Sequence, residues 1–279
     1  MTKKLTVADI RAMKATGEKI TVLTAYDASM ARLLEAAGID VLLVGDTLGM
    51  VVLGYDSTVP VTMDEMLHHA KAVRRGAPST LVVGDMPFMS YQVSTREAIH
   101  NAGRFMKEAG CDAVKLEGGH EVCATVSALV QAGIPVMGHI GLTPQTAGQL
   151  GGYKVQGKDL DSARKQLAYA KALEAAGAFS LVLECIPATL AQAISNAINI
   201  PTIGIGAGVG CDGQVLVTND MLGMFEKFTP SFVKTYTHLA SQIKEAVLDY
   251  KHEVKAKTYP DAAHSFTMKL DIAEVLKEQ

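Results

Sequence analysis

The chain has little cysteine, no long apolar run and no excess of either charge. Cys111, Cys123, Cys185 and Cys211 are its only cysteines, and no two form a C-x-x-C pair. That spacing gives no disulfide framework and no thiolate zinc site, so free, inert cytosolic thiols are expected. No H-x-x-x-H spacing offers zinc a substitute. No stretch of about 18 uninterrupted apolar residues occurs, so no membrane span is expected. Met1 to Thr6 is basic, but no apolar signal core follows it. The formal charge is −3, with acids and bases interspersed. Nothing in that balance suits nucleic acid or an anionic membrane. Short-period repeats, low-complexity tracts and a composition shift that would mark a linker are also missing.

What is present is a large apolar fraction, 48% of 279 residues, enough for a sizeable core. One figure recurs in it. Val41-Leu-Leu-Val-Gly-Asp46-Thr47, Leu81-Val-Val-Gly-Asp85, Ala113-Val-Lys115-Leu-Glu117 and Leu181-Val-Leu-Glu184 are apolar runs ending in an acid. A carboxylate at the tip of a buried strand must be paired, metal-bound or solvated. Continuous apolar runs fit strands of a parallel sheet, buried on both faces.

The spacing predicts eight strands, mostly separated by helices. They begin at Lys19, Asp40, Thr80, Ala113, Pro135, Ser180, Thr202 and Gln214. Met30, Leu33, Leu34 and Ala37 fall on one helical face closed by Gly38. Ser94-Thr-Arg-Glu97 predicts a capping box. Two long loops, Leu48 to Thr62 and Ile140 to Lys158, are too long to be mere connections. Thr229-Pro230 predicts the start of a long helix with Phe232, Tyr236, Leu239, Ala240, Ile243 and Val247 in one stripe. A short helix is expected near 271–277. Eight βα units argue for a closed α/β barrel, a (β/α)8 TIM barrel spanning 1–279 as a single domain.

Active sites of such barrels lie at the carboxyl ends of the strands. Asp46, Asp85, Glu117, His139 and Glu184 would share that mouth. Each alone has a bland reading, as a turn former, a helix cap or a structural ion pair. Jointly, Asp46, Asp85 and Glu117 are a hard-oxygen set suited to magnesium or manganese. Lys115 is on the same side of its strand as Glu117. It is either that residue's ion-pair partner or a contact for a substrate carboxylate or enolate oxygen. Glu184, set apart from the others, suits a general base, with a salt bridge as its plain alternative. His139 suits hydrogen bonding behind the ligands better than ligation. His68 and His69 read as helix surface or loop anchors. The Gly204-x-Gly206-x-Gly208-x-Gly210 run reads equally as a phosphate cradle or a tight turn. A cation and a base together suggest enolate chemistry on a chelating 2-oxo acid.

These motifs resemble the ketopantoate hydroxymethyltransferase family over roughly Ile20 to Phe266. The matching stretches include Leu-Thr-Ala-Tyr-Asp27, Val-Gly-Asp46-Thr-Leu-Gly-Met50, Gly54-Tyr-Asp-Ser-Thr58 and Val-Lys115-Leu-Glu117-Gly118. They continue with Gly138-His-Ile-Gly-Leu-Thr-Pro-Gln145, Leu-Glu184-Cys-Ile-Pro187 and Cys211-Asp-Gly-Gln-Val-Leu216. The resemblance implies a barrel of the phosphoenolpyruvate mutase and isocitrate lyase type. It implies hydroxymethyl transfer from 5,10-methylenetetrahydrofolate to 3-methyl-2-oxobutanoate, giving 2-dehydropantoate for pantothenate. By position it implies one Mg2+ per subunit on Asp46, Asp85 and Glu117. Asp46, Thr47, Asp85 and Lys115 would contact the oxo acid, and Glu184 would accept the proton. It further implies a cytoplasmic homodecamer, a pentamer of dimers. Thr47 stands where the family usually has Ser, and Ala263 where it usually has Glu. The rival readings are a related metal-dependent lyase or mutase and a barrel that has lost catalysis. Such lyases use a loop Cys as acid, and no strand-following loop here carries one in a similar motif.

Overall fold

The computed structural model describes residues 4–149 and 151–277. Eight parallel strands close into a barrel, each hydrogen-bonded to the next and the last to the first. They are β1 (Ile20–Thr24), β2 (Val41–Val44), β3 (Leu81–Asp85), β4 (Ala113–Glu117), β5 (Val136–Gly141), β6 (Ser180–Glu184), β7 (Thr202–Ile205) and β8 (Gly213–Leu216). Helix α1 (Val7–Thr16) leads in. Helices α2 (Ala28–Ala36), α3 (Leu48–Val51), α4 (Met63–Gly76), α5 (Thr95–Ala109), α6 (Cys123–Gln131), α7 (Leu160–Ala175) and α8 (Ala188–Ala197) follow the first six strands. A turn joins β7 to β8, and α9 (Thr218–Met221), α10 (Leu239–Ala256) and α11 (Ile272–Leu276) end the described chain.

Strand periodicity builds two cores. Val41 and Leu43 of β2, Leu81 and Val83 of β3, and Ala113 of β4 point into the barrel with Met137, Val182, Ile203 and Val215. Leu42, Val44, Val82, Val114 and Leu116, one residue out of phase, point outward against the helices. A buried large side chain such as Phe105 of α5 contributes roughly 1.5–3 kcal/mol by leaving water.

Three local expectations are corrected. The Ser94 cap forms, its hydroxyl accepting the Glu97 N–H at 3.2 Å, but without the return bond of a full box. Residues 48–62 are not structureless: they carry α3, and the Tyr55 hydroxyl donates to Glu65 at 2.6 Å. The long helix starts at Leu239, not Thr229. The N–H groups of Tyr236, Leu239 and Ala240 donate to the carbonyls of Met221, Leu222 and Gly223 at 2.8, 3.0 and 3.1 Å. Those tertiary bonds replace the ones a helix start would need, and Phe232 leaves the stripe to cover Gly206. From Ser241 onward α10 is left exposed, including Ile243, Val247 and Leu248. Ala263 lies in the exposed turn Ala262–His264, held by Asp261, outside the barrel.

Asp220 of α9 is buried, and its Oδ1 has no hydrogen-bond partner. Burial pushes its carboxyl up to about 6. Ionisation is therefore opposed in the folded chain relative to the unfolded one. Stability carries this penalty above pH 6 and sheds it as pH falls towards the ordinary carboxylate value. Asp220→Asn is expected to stabilise the fold by about 1–2 kcal/mol at pH 8 and by nothing at pH 4. Urea unfolding at the two pH values measures the difference; an equal effect at both would contradict it.

Candidate active site

The inward phase of each strand continues, at its carboxyl end, from apolar to charged. Leu81 and Val83 are followed by Asp85; Ala113 by Lys115 and Glu117; Met137 by His139; Ser180 and Val182 by Glu184. The same alternation that fills the floor of the barrel with hydrocarbon thus raises a polar rim above it. Register then makes neighbours. Asp85 is opposite Lys115, and Glu117 is opposite His139. Asp46 follows β2 by two residues, and its N–H donates to Asp85 Oδ2 at 3.3 Å. All five sequence-predicted rim residues, with Thr47 and Lys115, line one pocket that opens at the mouth. Leu43, Val182, Ile205, Val215 and Val217 are among its apolar lining.

Asp46, Asp85, Lys115, Glu117 and His139 are each no more than 4% exposed. Lys115 Nζ donates to both Asp85 oxygens, at 2.7 and 2.8 Å, and lies 3.8 Å from Glu117 Oε1. Lys115 is therefore first the partner of Asp85 and only loosely that of Glu117. His139 sits between two acids, with Nδ1 3.4 Å from Glu117 and Nε2 3.2 Å from Glu184. Neither ring nitrogen is aligned for a hydrogen bond, so these contacts are electrostatic. Glu184 is the most open of the acids, its side chain 15% exposed against 2–3% for Asp85 and Glu117.

The charges are unbalanced. Burial, then the Asp85 and Glu117 charges, push the Asp46 carboxyl well above the usual range. Burial raises Asp85 despite Lys115 beside it. Burial would raise Glu117 too, but His139 and Lys115 hold it low. Burial and Lys115 pull the imidazole of His139 down, and Glu117 and Glu184 overcome them, leaving it at about 9. With all four carboxylates ionised, Lys115 and His139 would leave a double negative charge that one divalent cation would balance, and the donors are the hard oxygens such a cation takes.

As the side chains stand, no group of three His, Cys, Asp or Glu among the described residues is arranged to hold a metal ion. The oxygens are already engaged: Asp85 by Lys115, Asp46 by the carboxamide of Gln145, and Glu117 by the backbone N–H of Gln145. Magnesium-type sites need only one or two protein carboxylates beside water and substrate oxygens. The donor set therefore fits such an ion without a closed protein cage.

Two functional neighbours escaped sequence reasoning, Gln145 and Tyr91. The Tyr91 hydroxyl donates to Gln145 Oε1 at 2.7 Å and accepts the Glu117 N–H at 3.2 Å. The sequence marks them only at the level of segments, Gln145 as the end of a family motif and both residues within the stretches Met86 to Tyr91 and Ile140 to Tyr153 that suit folate walls. His69 anchors a loop, its Nδ1 2.7 Å from the Tyr26 carbonyl. The glycine run is a packed turn: a Cβ on Gly206, Gly208 or Gly210 would meet Phe232, Ala188 or Gln192 within 2.8 Å. No phosphate cradle remains there. The cysteines are free. Cys185 follows Glu184, but burial and that carboxylate push its thiol up to about 12, a poor acid or nucleophile at neutral pH.

A family model described as ketopantoate hydroxymethyltransferase matches residues 4–262. The chain is 65% identical over 271 residues to the 3-methyl-2-oxobutanoate hydroxymethyltransferase of Desulfotalea psychrophila, covering 97% of each chain. It is 62% identical to the enzyme of the same name from Carboxydothermus hydrogenoformans, covering 97% of this chain and 98% of that one. Among solved structures, phosphoenolpyruvate phosphomutase from Streptomyces platensis subsp. rosaceus shares the fold. Its TM-score is 0.62 at 16% identity, over 98% of this chain and 94% of that one. A phosphonopyruvate hydrolase, solved with oxalate and Mg2+, has a TM-score of 0.61 at 14% identity, over 98% of this chain and 96% of that one. By the span of the family model and the identity to these relatives, the chain belongs to the ketopantoate hydroxymethyltransferase family.

Proposed function

We propose that this enzyme transfers a hydroxymethyl group from 5,10-methylenetetrahydrofolate to 3-methyl-2-oxobutanoate, giving 2-dehydropantoate on the route to pantothenate. The observation that carries the reading is the mixed lining of the pocket. Part of its lining is a buried rim of Asp46, Asp85, Lys115 and Glu117; the rest includes the apolar Leu43, Val182, Ile205, Val215 and Val217. A small acid with a chelating 2-oxo head and a branched apolar tail matches both at once. The names of its close relatives support the same substrate.

Asp46, Asp85 and Glu117 would hold Mg2+, and Asp46, Thr47, Asp85 and Lys115 would bind the oxo acid. Bound there, the cation would supply Lewis acidity to the keto group and stabilise negative charge as it develops. Glu184 takes the C3 proton. His139, charged at neutral pH and 3.2 Å away, orients that carboxylate. Lys115 faces the developing enolate oxygen with a fixed positive charge. Water first releases the methylene of the reduced folate as formaldehyde and frees tetrahydrofolate; the enolate carbon then adds to that carbonyl, and the alkoxide takes up the proton held by Glu184 to complete the hydroxymethyl group. The loops Met86 to Tyr91 and Ile140 to Tyr153 are the folate walls in this reading. The Tyr153 phenol is raised by burial and by the charges of Asp46, Glu184 and Glu117, which supports its place at the mouth.

The test is an assay with both substrates, with and without chelator. Product that requires the folate and disappears with chelator is expected; folate-independent cleavage of the oxo acid would favour a lyase, and no turnover an inactive scaffold.

The same reading makes the protein a cytoplasmic homodecamer, a pentamer of dimers, with no nucleic-acid or membrane partner. Among the described residues no helix is long and apolar enough to cross a membrane. The uncovered apolar residues of α10 support self-association, since so many exposed on one helix mark an interface. Ile243→Asp with Val247→Asp is expected to reduce the assembly to smaller species in sedimentation. A native chain that sediments as a monomer would contradict the assembly.

A further inference from the structure

We propose that Gln145 is a positioning residue that fixes Asp46 and Glu117 relative to each other and holds Asp46 without neutralising it. It thereby sets the affinity of the rim for a divalent cation. The inference rests on the reading above, in which Asp46 is a cation ligand.

Both side-chain polar atoms of Gln145 and its backbone N–H are engaged. Nε2 donates to Asp46 Oδ2 and to the Met86 carbonyl, both at 2.9 Å. Oε1 accepts the Tyr91 hydroxyl at 2.7 Å, and the backbone N–H donates to Glu117 Oε2 at 3.1 Å. The Met86 carbonyl can only accept, so the orientation of the carboxamide is fixed. Tyr91 is fixed in turn by Glu117, whose N–H it accepts at 3.2 Å and whose carbonyl it faces at 3.1 Å. One buried residue, by its side chain and its backbone N–H, therefore ties together the ends of β2, β3 and β4 from the loop after β5.

The chemistry of the amide matters as much as its reach. Lys or Arg at this position would hold Asp46 but cancel its charge. Leu or Met would leave it unheld. A neutral donor orients one carboxylate oxygen and leaves the negative charge for a cation. The same short segment also reads the position of the base. The Leu142 N–H donates to the Glu184 carbonyl at 2.9 Å. Gly141, at φ +97°, passes so close that an added Cβ would lie 2.1 Å from that oxygen. Residues 141–145 thus set the three acid-bearing ends, at Asp46, Glu117 and Glu184, from one root. A network this fully satisfied is disabled by the loss of any one member.

The test titrates Mn2+ into the chelator-treated full chain, by calorimetry and without substrate. Native protein is compared with Gln145→Met and Tyr91→Phe. Gln145→Met is expected to weaken binding about 10- to 100-fold, the usual effect of removing a partner behind a metal ligand. Tyr91→Phe, which removes one hydroxyl, is expected to weaken it about fivefold. Excess Mn2+ is expected to recover part of the turnover of Gln145→Met at a temperature where circular dichroism shows the metal-free variant already fully folded, so that the recovery reports affinity and not stability. Folded variants that bind Mn2+ within about twofold of native would overturn the inference and leave the proposed function standing. If Gln145→Met does not fold, the Tyr91→Phe affinity decides. A native chain that binds no Mn2+ would remove the proposed function, and this inference with it.

Discussion

Glu184→Gln is expected to lower turnover by about a thousandfold while the barrel stays folded. A positioned base contributes about 10²–10⁴ to such a step. Glu184 ends β6 with the most accessible carboxylate of the rim, 3.2 Å from His139. Gln keeps the size and the hydrogen-bonding reach but takes no proton. Stability should change by less than about 1 kcal/mol, because the side chain lies at the pocket mouth rather than in the core. The affinity for the oxo acid should change little, since the binding head faces Asp46, Asp85 and Lys115. The sharper readout is solvent exchange of the C3 proton of 3-methyl-2-oxobutanoate, followed by NMR without folate. Exchange should fall in step with turnover. Native-like exchange in Glu184→Gln would remove the base from this residue.

Lys115→Met is expected to be the most damaging single change to the fold at this site. Burial pulls the ammonium down, yet Asp85, Glu117 and Asp46 hold it above its ordinary range, so it is charged throughout the working pH range. Methionine fills a similar volume but leaves Asp85 buried with no cation and Asp46 close by. Breaking a buried pair in this way costs about 3–5 kcal/mol. Urea unfolding should show that loss, together with loss of turnover. Mg2+ in the buffer should return part of the stability, because a divalent cation relieves the same repulsion. The double change Lys115→Met with Asp85→Leu should be less destabilising than Lys115→Met alone, because it removes the orphaned charge. A single variant as stable as native would mean that the pair carries little net energy.

The parts of this molecule legible from sequence share one cause, the period of two. Runs such as Leu81 to Asp85 had to be buried strands, and an acid at each tip had to leave the core at the same end. Register completed the pairs Asp85–Lys115 and Glu117–His139, which no single strand could have revealed. Sequence alone places Lys115 beside Glu117, its neighbour along one strand; across the sheet Asp85 is nearer. Gln145 and Tyr91 were not legible. Both are uncharged and lie in irregular loops, where no periodicity says which way a side chain points. The start of α10 was misplaced for the opposite reason. Residues 229–238 have a helical pattern, but the backbone at Tyr236 and Leu239 is already bonded to residues 221 and 222. Local preference lost to a tertiary contact that only the folded chain supplies.

The most direct measurement is a calorimetric titration of the chelator-treated enzyme with Mg2+, run with and without 3-methyl-2-oxobutanoate. One cation per chain is expected, bound more tightly when the oxo acid is present, because the keto and carboxylate oxygens of the acid would add to the donors of the rim. No binding, or binding indifferent to the oxo acid, would contradict it.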